Sequence, residues 1–331
     1  MKVLVLGGTV FLSARVATDF LGRGHEVTCL SRSLATRAPQ GAREVRADRA
    51  AGPQAYDGVR GDWDVVIDVA TDPRFVRDAL DALGHGARHW TYISSCSVYA
   101  DQNTPDGDET QSVIAPLDVH DVSGPENYGA SKSACESLCR AALEGRVLIA
   151  RPGLIVGPGD PSDRGGYWPA RFARGDQEVL IPQSRDLWSQ QIDVRDLSQW
   201  LVSCAESNVT GVMNAVGDPL PLSEVIERIR RVADFTGSVL IAPDRWLLDH
   251  GVEPWAGPES LALWIPLGSG YDGFCQRSHA MARHHGLTLR ALEETWAACL
   301  ADERQRGLDR DRLAGLSAAR EAQLRELLHA G

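Results

Sequence analysis

The sequence contains very little lysine and no long hydrophobic run. Only Lys2 and Lys132 among its 34 basic residues are lysines, and the rest are arginines. With 45 acidic residues the formal net charge is −11, which repels nucleic-acid phosphates and anionic membrane surfaces. No apolar run approaches the roughly 18 residues of a membrane span, and the one at the N-terminus is too short for a signal peptide. We therefore expect a soluble, cytoplasmic protein that binds a small molecule and neither nucleic acid nor a membrane.

The cysteine pattern excludes a disulfide framework or a zinc site. The seven cysteines are scattered, odd in number and free of any C-x-x-C spacing, which predicts reduced thiols and no metal. The chain has 331 residues, of which 43% are hydrophobic and 24% charged. These are ordinary proportions for a globular protein of one large domain or two smaller ones.

Strand and helix patterns alternate through the first half of the chain. An apolar run at 2–6 ends in two glycines, an amphipathic pattern follows at 11–21, and a second strand pattern begins at 25. Further strand patterns lie at 43–48, 64–70, 89–94 and 146–152, with helical patterns at 74–83 and 128–144. This alternation predicts an α/β fold with a Rossmann-type, doubly wound parallel sheet.

The regular alternation of strand and helix patterns ends after residue 155, which suggests a second, smaller lobe. We expect a dinucleotide-binding domain over 1–155, completed by 188–215, where QQIDV is predicted as a returning strand and DLSQWLVSCAE as its helix. The smaller substrate-binding lobe would comprise 156–187 and 216–331. The charged tail at 302–328 is predicted to be a solvated helix.

The glycine turn after the first strand is typical of a dinucleotide site. A spacing of G-x-x-G-x-x-G would require glycines at 7, 10 and 13, but only Gly7 is present, with Val10 and Ser13 at the other positions. A valine whose side chain points away still offers its backbone N–H, and serine is only slightly larger than glycine. Because the turn joins a strand to a helix, it predicts a pyrophosphate site. Its expected cofactor contacts are Gly7, Thr9, Val10, Phe11 and Leu12.

The tip of the second strand indicates which dinucleotide binds. A carboxylate there accepts from a ribose 2′-hydroxyl, whereas an arginine pairs with a 2′-phosphate. The chain has Ser31 and Arg32 at this tip, with Arg37 close behind and no acidic residue. We therefore predict NADP, with NAD as the alternative. Asp48, at the end of the third strand, is positioned to meet the adenine.

The strongest chemical signal is Tyr128-Gly-Ala-Ser-Lys132 at the start of a helix. Tyrosine and lysine at positions i and i+4 share one helical face. An ammonium close to the phenol favours the phenolate and makes Tyr128 a usable general acid or base. Lys132 is notable in a chain that otherwise uses arginine, since a compact ammonium fits where a guanidinium does not. Ser94-Ser95-Cys96-Ser97-Val98-Tyr99 follows a preceding strand.

Through KVLVLGGT, ISSCSVYA, YGASK, RPGLIVGPGD and QQIDVRDL, residues 1–215 resemble the extended short-chain dehydrogenases/reductases, of the NAD-dependent epimerase/dehydratase family. The resemblance implies that Ser95, Tyr128 and Lys132 form the catalytic set. Tyr128 would exchange the proton with the substrate oxygen, Ser95 would hydrogen-bond that oxygen and Lys132 would hold the nicotinamide ribose. It also implies a homodimer formed through the tyrosine-bearing helix. Further cofactor contacts would be Val69, Ala70, Pro152 and Gly153.

Two departures from the family pattern narrow the range of expected reactions and substrates. Sugar-nucleotide dehydratases carry an Asp-Glu pair where this chain has Cys96 and Ser97, so dehydration lacks its acid and base. The sugar-nucleotide branch commonly has a diphosphate-binding arginine just before the strand that corresponds to QQIDV, where this chain has Ser189. A nucleotide-sugar substrate is therefore less favoured, although another arginine remains able to replace the missing one, with Arg164, Arg171 and Arg185 as the candidates.

The sequence thus predicts an NAD(P)-dependent oxidoreductase that transfers a hydride between NADP(H) and a carbonyl or secondary alcohol of a small molecule. The alternative is an epimerase of a sugar or sugar nucleotide that uses the same residues. A third interpretation, a non-catalytic cofactor-sensing or RNA-associated protein, is opposed by the negative charge and the Ser-Tyr-Lys set. The expected substrate contacts are Cys96, Ser97, Tyr167, Trp168, Trp188 and Gln191.

Overall fold

A computed structural model describes residues 1–32, 35–118, 121, 123–175 and 178–330. Its strands are β1 Lys2–Leu6, β2 Glu26–Ser31, β3 Arg43–Arg46, β4 Trp63–Asp68, β5 Ala87–Ile93, β6 Val147–Pro152, β7 Leu154–Val156, β8 Val179–Pro182, β9 Trp188–Asp193, β10 Gly211–Ala215, β11 Pro219–Pro221, β12 Val239–Ala242, β13 Glu253–Trp255 and β14 Ser260–Ala262. Its α-helices are α1 Phe11–Gly22, α2 Pro73–Leu83, α3 Tyr128–Leu143, α4 Arg164–Arg174, α5 Val194–Glu206, α6 Leu222–Val232, α7 Asp244–Asp249, α8 Ala280–His284, α9 Leu292–Arg306 and α10 Ala318–Ala330. Short 3₁₀ helices span Arg49–Ala51, Pro53–Val59, Cys96–Val98 and Pro125–Asn127.

Seven parallel strands form the central sheet, in the order β10-β6-β5-β4-β1-β2-β3. Helices α1 and α5 pack on one face of the sheet, and α2 and α3 pack on the other. Because both faces are covered, the central strands are continuously apolar instead of alternating, as in β1, where residues 3–6 are all buried. This architecture confirms the predicted Rossmann-type α/β fold.

Strand β9 differs from the prediction, because it does not enter the central sheet. It pairs in parallel with β7 and antiparallel with β11 to form a separate three-stranded sheet. The free edge of β6 is instead occupied by β10. Helix α5, which follows β9, packs against α1 and so still completes the first domain.

The smaller lobe has its own hydrophobic core, made by α4, α6, α9, α10 and the short strands between them. The charged tail is not one solvated helix as expected, since α9 ends at Arg306 and α10 begins at Ala318. Glu303 and Glu321 are buried in this tail because Arg312 and Arg171, respectively, pair with them. Within the described ranges, no helix is long and apolar enough to cross a membrane.

Candidate active site

The glycine turn at the carboxyl end of β1 has room for a ligand and no room for larger side chains. Gly7 and Gly8 have φ angles of 131° and 85°, in the region that favours glycine. A Cβ atom on Gly8 would lie 2.4 Å from Cys29 Sγ, and one on Gly7 would lie 3.3 Å from Val69 Cγ2. The turn therefore keeps the backbone close to β2 and β4, as a dinucleotide site requires.

The two missing glycines are replaced without closing this turn. Val10 is 48% exposed, so its side chain points away from the turn. Ser13 is buried where helix meets strand, and its hydroxyl donates to Val10 O at 2.9 Å. Helix α1 begins at Phe11 with no side-chain cap, so its first backbone N–H groups remain free to bind an anion. Thr9 and Leu12 lie in the same segment. These residues fit the pyrophosphate of a dinucleotide.

The tip of β2 carries arginine, as the sequence indicates. Arg32 and Arg37 are exposed, and Arg46 stands beside Ser31 on the neighbouring strand. The buried Ser31 hydroxyl has no hydrogen-bond partner among the described residues. These groups fit either a 2′-phosphate or a ribose hydroxyl.

Two acidic residues lie near this tip. Asp48 is exposed and accepts from Ala50 N at 3.0 Å, which caps the 3₁₀ helix Arg49–Ala51. Glu44 was not predicted from the sequence. It lies on β3, in register with Cys29 of β2. Burial and the Glu44 charge together raise the pKa of Cys29 to about 12. One Glu44 oxygen lies 3.7 Å from Arg46 Nε, so this carboxylate forms an ion pair with an arginine of its own strand.

Tyr128 and Ser95 come together because α3 approaches the end of β5 closely. A Cβ on Gly129 would lie 2.3 Å from the Ser97 carbonyl oxygen, so only glycine permits this contact. Ser95 accepts from Ser97 N at 3.1 Å and donates to Ser97 Oγ at 3.1 Å. Tyr128 is 37% exposed, and its hydroxyl has no hydrogen-bond partner among the described residues.

These residues line one cavity of about 840 Å³. Its wall also includes Val69 and Ala70 after β4 and Gly153 after β6, so three of the predicted cofactor contacts border the same space as Tyr128. The carboxyl ends of neighbouring parallel strands meet at one edge of the sheet, which brings these segments together. Pro152, the last residue of β6, is buried beside this cavity and is not part of its wall.

Lys132 lies beneath Tyr128, one turn along α3, and is almost fully buried. Its Nζ donates to Ala70 O at 2.9 Å and to Ile93 O at 2.7 Å. It also lies 5.0 Å from the centre of the Tyr92 ring. An ammonium has three hydrogens, so one donor remains for a ribose hydroxyl or for the phenol above it.

A buried ion pair holds α3 against the strands that carry the site. Glu136, one turn beyond Lys132, accepts from Arg151 Nε at 2.8 Å and Nη2 at 2.7 Å, and from Ser94 Oγ at 2.6 Å. Burial opposes ionisation of Glu136, but the hydrogen bonds and charge of Arg151 outweigh it and hold the pKa below its usual range. The carboxylate thus fixes the residue before Ser95 relative to Tyr128.

The predicted substrate contacts separate into two groups. Only Ser97 lines the cavity with Tyr128. The structure corrects the others. Cys96 is buried, and its Sγ donates to Arg151 O at 3.3 Å. Tyr167 and Trp168 belong to the hydrophobic core of the smaller lobe, because α4 turns this face inward. Gln191 borders a different, smaller cavity and bonds Trp296, while Trp188 begins β9 on the surface, outside the cavity wall.

Four residues of the smaller lobe complete the cavity wall: Arg164, Trp255, Ala256 and Phe274. Arg164 was one of three arginines that the sequence left open. Arg171 forms a buried ion pair with Glu321. Arg185 is exposed and lines a different cavity. Phe274 had no sequence signal, and the only one for Trp255 is that seven of the nine tryptophans lie after residue 160.

Comparisons with known proteins agree with this geometry. Residues 70–216 match the family model described as the NAD dependent epimerase/dehydratase family. The sequence has no significant match among curated proteins.

Solved structures share the fold at low sequence identity. A Burkholderia cenocepacia protein is 20% identical with a TM-score of 0.69, covering 92% of this chain and 98% of its own. The UDP-N-acetylglucosamine 4-epimerase of Bacillus cereus is 17% identical with a TM-score of 0.68, covering 93% of this chain and 100% of its own. The UDP-glucuronic acid 4-epimerase of Bacillus cereus, solved in complex with NAD, is 16% identical with a TM-score of 0.65, covering 92% of this chain and 99% of its own.

The family match covers the segment that carries Ser95, Tyr128 and Lys132, and the fold around it is that of solved epimerases. Residues 70–216 are therefore similar to the NAD-dependent epimerase/dehydratase family over the segment that carries the candidate site, and the chain shares the fold of solved epimerases.

Proposed function

We propose that the enzyme catalyses reversible hydride transfer between NADP(H) and a carbonyl or secondary alcohol of a small molecule, with Tyr128 as the general acid and base. The observation that carries this proposal is the shared cavity. Tyr128, Ser95 and Ser97 face the same space as Val69, Ala70 and Gly153, where a nicotinamide ring is expected.

The protein's own residues supply the proton chemistry. The chemistry that a bound nicotinamide cofactor supplies is transfer of a hydride to or from a substrate carbon. In the reducing direction, the Tyr128 hydroxyl gives its proton to the carbonyl oxygen as that oxygen becomes an alkoxide. Ser95 turns its hydroxyl from Ser97 Oγ to the same oxygen and stabilises the developing charge. Lys132 is buried, and its ammonium keeps one donor free to hold the nicotinamide ribose.

The second candidate is an epimerase of a sugar or sugar nucleotide that uses the same residues. The family match and the printed names of the solved relatives favour it. Such an enzyme removes a hydride and returns it to the opposite face, so it keeps its cofactor through the cycle. A reductase must exchange its cofactor at every turnover.

The test of the proposed chemistry is Tyr128→Phe. We expect kcat for the reduction of a panel of ketones and aldehydes to fall by about 10² to 10⁴, because proton transfer is lost. The affinity for NADPH should change little, since Lys132 and the glycine turn remain. Retention of full activity by this variant would overturn the assignment of Tyr128.

Tyr167→Phe is the matched control. It removes the same hydroxyl from a tyrosine that is buried in the core of the smaller lobe and does not line this cavity. Activity should stay at the wild-type level. Mass spectrometry of the denatured enzyme separates the two candidates: near-stoichiometric NAD⁺ retained through purification supports the epimerase, and an empty site that binds NADPH supports the reductase.

A further inference from the structure

We infer that Arg164 is an anion-binding residue of the substrate site, and that the substrate carries a carboxylate or a phosphate beside an apolar body. This inference rests on the proposed function, because it concerns the substrate of the same site. It assigns binding of the anion to one of the 32 arginines, and binding of the apolar body to the aromatic side chains of Trp255 and Phe274.

Arg164 holds a charge at the cavity that no acidic residue in the described part of the chain neutralises directly. It is the first residue of α4 and lines the cavity together with Ser95 and Tyr128. Its Nε donates to Ser162 Oγ at 3.1 Å, and this is the only side-chain hydrogen bond that it makes within the described residues. The two terminal nitrogens therefore have no protein acceptor, and no carboxylate of that part of the chain lies within 4.0 Å.

Other inward-facing arginines bind acceptors of the protein, which are carboxylates for Arg49 and Arg151 and amide and backbone carbonyl oxygens for Arg277. Arg49 lines the same cavity, but both of its terminal nitrogens bind Asp68, at 2.7 Å and 2.9 Å. Arg151 is paired with Glu136 in the same two-pronged way. Desolvation of a guanidinium is costly, so buried arginines are normally paired with acidic groups. Arg164 lacks such a group, which leaves the position for a ligand.

Asp160, whose charge acts on Arg164, does not fill that position. Asp160 is buried on the loop that precedes α4, and its oxygens accept from the backbone N–H groups of Ser162 at 2.8 Å and Gly165 at 3.1 Å. The Asp72 carboxylate also borders the cavity, but Arg74 pairs with it at 2.6 Å. Burial lowers the pKa of Arg164, as expected for a cation that loses water without gaining a direct partner.

An aromatic side chain fixes the guanidinium in place. Arg164 Cζ lies 5.0 Å from the centre of the Trp255 ring, within the range of a cation–π contact. Trp255 has a φ angle of 70°, which is uncommon for a bulky residue, and its backbone N–H donates to the Trp264 carbonyl oxygen at 3.0 Å. A guanidinium held in this way is prepared to bind both oxygens of a carboxylate or phosphate.

The same aromatic wall provides the surface for an apolar body. Trp255 and Phe274 lie 5.5 Å apart in an edge-to-face arrangement, and both border a second cavity of about 860 Å³ that shares Tyr128 with the first. Tyr271, Ile265 and Pro266 continue this second wall. A substrate whose carbonyl lies at Tyr128 therefore meets a cation on one side and aromatic surface on the other.

The experiment compares aromatic substrates and ligands that carry an anionic group with similar ones that do not. Phenylglyoxylate and acetophenone differ by a carboxylate in place of a methyl group, and both are offered with NADPH to the wild-type enzyme, to Arg164→Gln and to Arg164→Lys. Calorimetric titrations of the NADP⁺-loaded enzyme use mandelate, phenyl phosphate and neutral benzyl alcohol. Arg185→Gln is the matched control, because it removes the same charge from an exposed residue at a different cavity.

We expect the wild-type enzyme to prefer an anionic probe, and Arg164→Gln to weaken that probe's binding by about tenfold to a hundredfold, the usual effect of losing a charge-assisted hydrogen bond. Arg164→Lys should lose less, since it keeps the charge but not the paired donors. Benzyl alcohol binding and the Arg185→Gln control should not change. The mandelate and phenyl phosphate arms decide between a carboxylate and a phosphate.

The inference is overturned if the wild-type enzyme binds the anionic probes no better than benzyl alcohol, or if Arg164→Gln binds them as tightly as wild type. A failure of the proposed function has a different signature. In that case neither ketone is reduced in a Tyr128-dependent way, while the calorimetric dependence on Arg164 still tests the anion site.

Discussion

At the scale of single residues, the tip of β2 decides which cofactor binds. Arg32 is exposed there and Arg46 lies beside Ser31 on the neighbouring strand, which favours a 2′-phosphate. Glu44, two residues before Arg46 on that strand, is a nearby carboxylate through which NAD would be accepted, but one of its oxygens lies 3.7 Å from Arg46 Nε. The choice between NADP and NAD is therefore a competition between named side chains.

Arg32→Asp tests this competition. We expect NADPH to bind about tenfold to a hundredfold more weakly, because an arginine–phosphate pair is lost and a like charge is introduced. NADH binding should be unchanged or stronger. Fluorescence titration with each reduced cofactor gives both dissociation constants, and Arg88→Asp, the same substitution at the opposite end of the sheet, serves as the control. Tighter binding of NADH than NADPH by the wild-type enzyme would refute the NADP prediction.

His89 makes stability depend on pH through its burial in β5. Its Nε2 lies 3.0 Å from Thr91 Oγ1, and its Nδ1 has no partner among the described residues. Burial lowers the pKa of His89 from 6.5 to about 4. The unfolded chain thus takes up the proton first as pH falls, so the free energy of unfolding declines between about pH 6.5 and 4 and is fully present only above that range.

The size of this effect is roughly 3 kcal/mol, at about 1.4 kcal/mol for each pH unit. We expect His89→Gln to reduce the loss of stability over this range by that amount, measured as urea unfolding at several pH values. His85→Gln, at an exposed histidine of the preceding turn, should leave the wild-type profile in place. An unchanged profile in His89→Gln would show that this imidazole is not the titrating group.

At the scale of secondary-structure elements, the relation of α3 to β5 and β6 sets the catalytic geometry. Tyr128, Lys132 and Glu136 occupy successive turns of one helical face. The first reaches the cavity, the second bonds the backbone at the ends of β4 and β5, and the third binds Arg151 of β6. One face of one helix therefore carries both the chemistry and its alignment.

Glu136→Gln tests this alignment. Removing one charge of a buried pair leaves the other unpaired, so we expect a loss of about 3 to 5 kcal/mol in the free energy of unfolding. As a positioning residue, Glu136 should also affect kcat more than KM, because Ser95 and Tyr128 shift relative to one another. Arg140→Gln removes the exposed partner of the same carboxylate, 3.1 Å away, and should cost at most about 1 kcal/mol. Equal effects of the two substitutions would contradict this role.

The helices also show where the spacing of residues along the sequence was sufficient to predict which side chains face the site, and where it was not. The pattern at 128–144 predicted α3 and its face correctly, because Tyr-x-x-x-Lys fixes which positions share a side. In the segment that forms α4 the sequence has no sustained period, and Tyr167 and Trp168 were predicted to contact the substrate from their position along the motifs, yet they face the core of the smaller lobe. A helical pattern defines a stripe of residues, but only packing decides whether that stripe meets a core or a cavity.

At the scale of the whole molecule, two separate cores meet at the active site. The central sheet supplies Tyr128, Ser95 and the cofactor segments, and the smaller lobe supplies Arg164 and Trp255. Chemistry and substrate recognition therefore come from different hydrophobic units, which allows the substrate wall to differ among proteins that share the sheet.

The homodimer expected from the family resemblance remains a prediction at this scale. Helix α3 presents Ser137, Arg140 and Ala141 on its exposed side, and side chains of this small or flexible kind allow close approach of a second copy. We expect light scattering to give twice the single-chain mass of 35.9 kDa. A mass equal to one chain at micromolar concentration would reject the dimer, whereas every residue of the cavity described above comes from one chain.

The sequence by itself determined the parallel sheet, the glycine turn and the helical face that Tyr128 and Lys132 share, because each depends on short-range spacing: period, turn chemistry, and neighbours three or four residues apart. Only the tertiary structure decided that β9 leaves the central sheet, that Tyr167 and Trp168 are core residues, and that Arg164 and Trp255 meet 91 positions apart. These outcomes depend on which edges and faces are already occupied by distant segments, and local patterns contain no information about that competition.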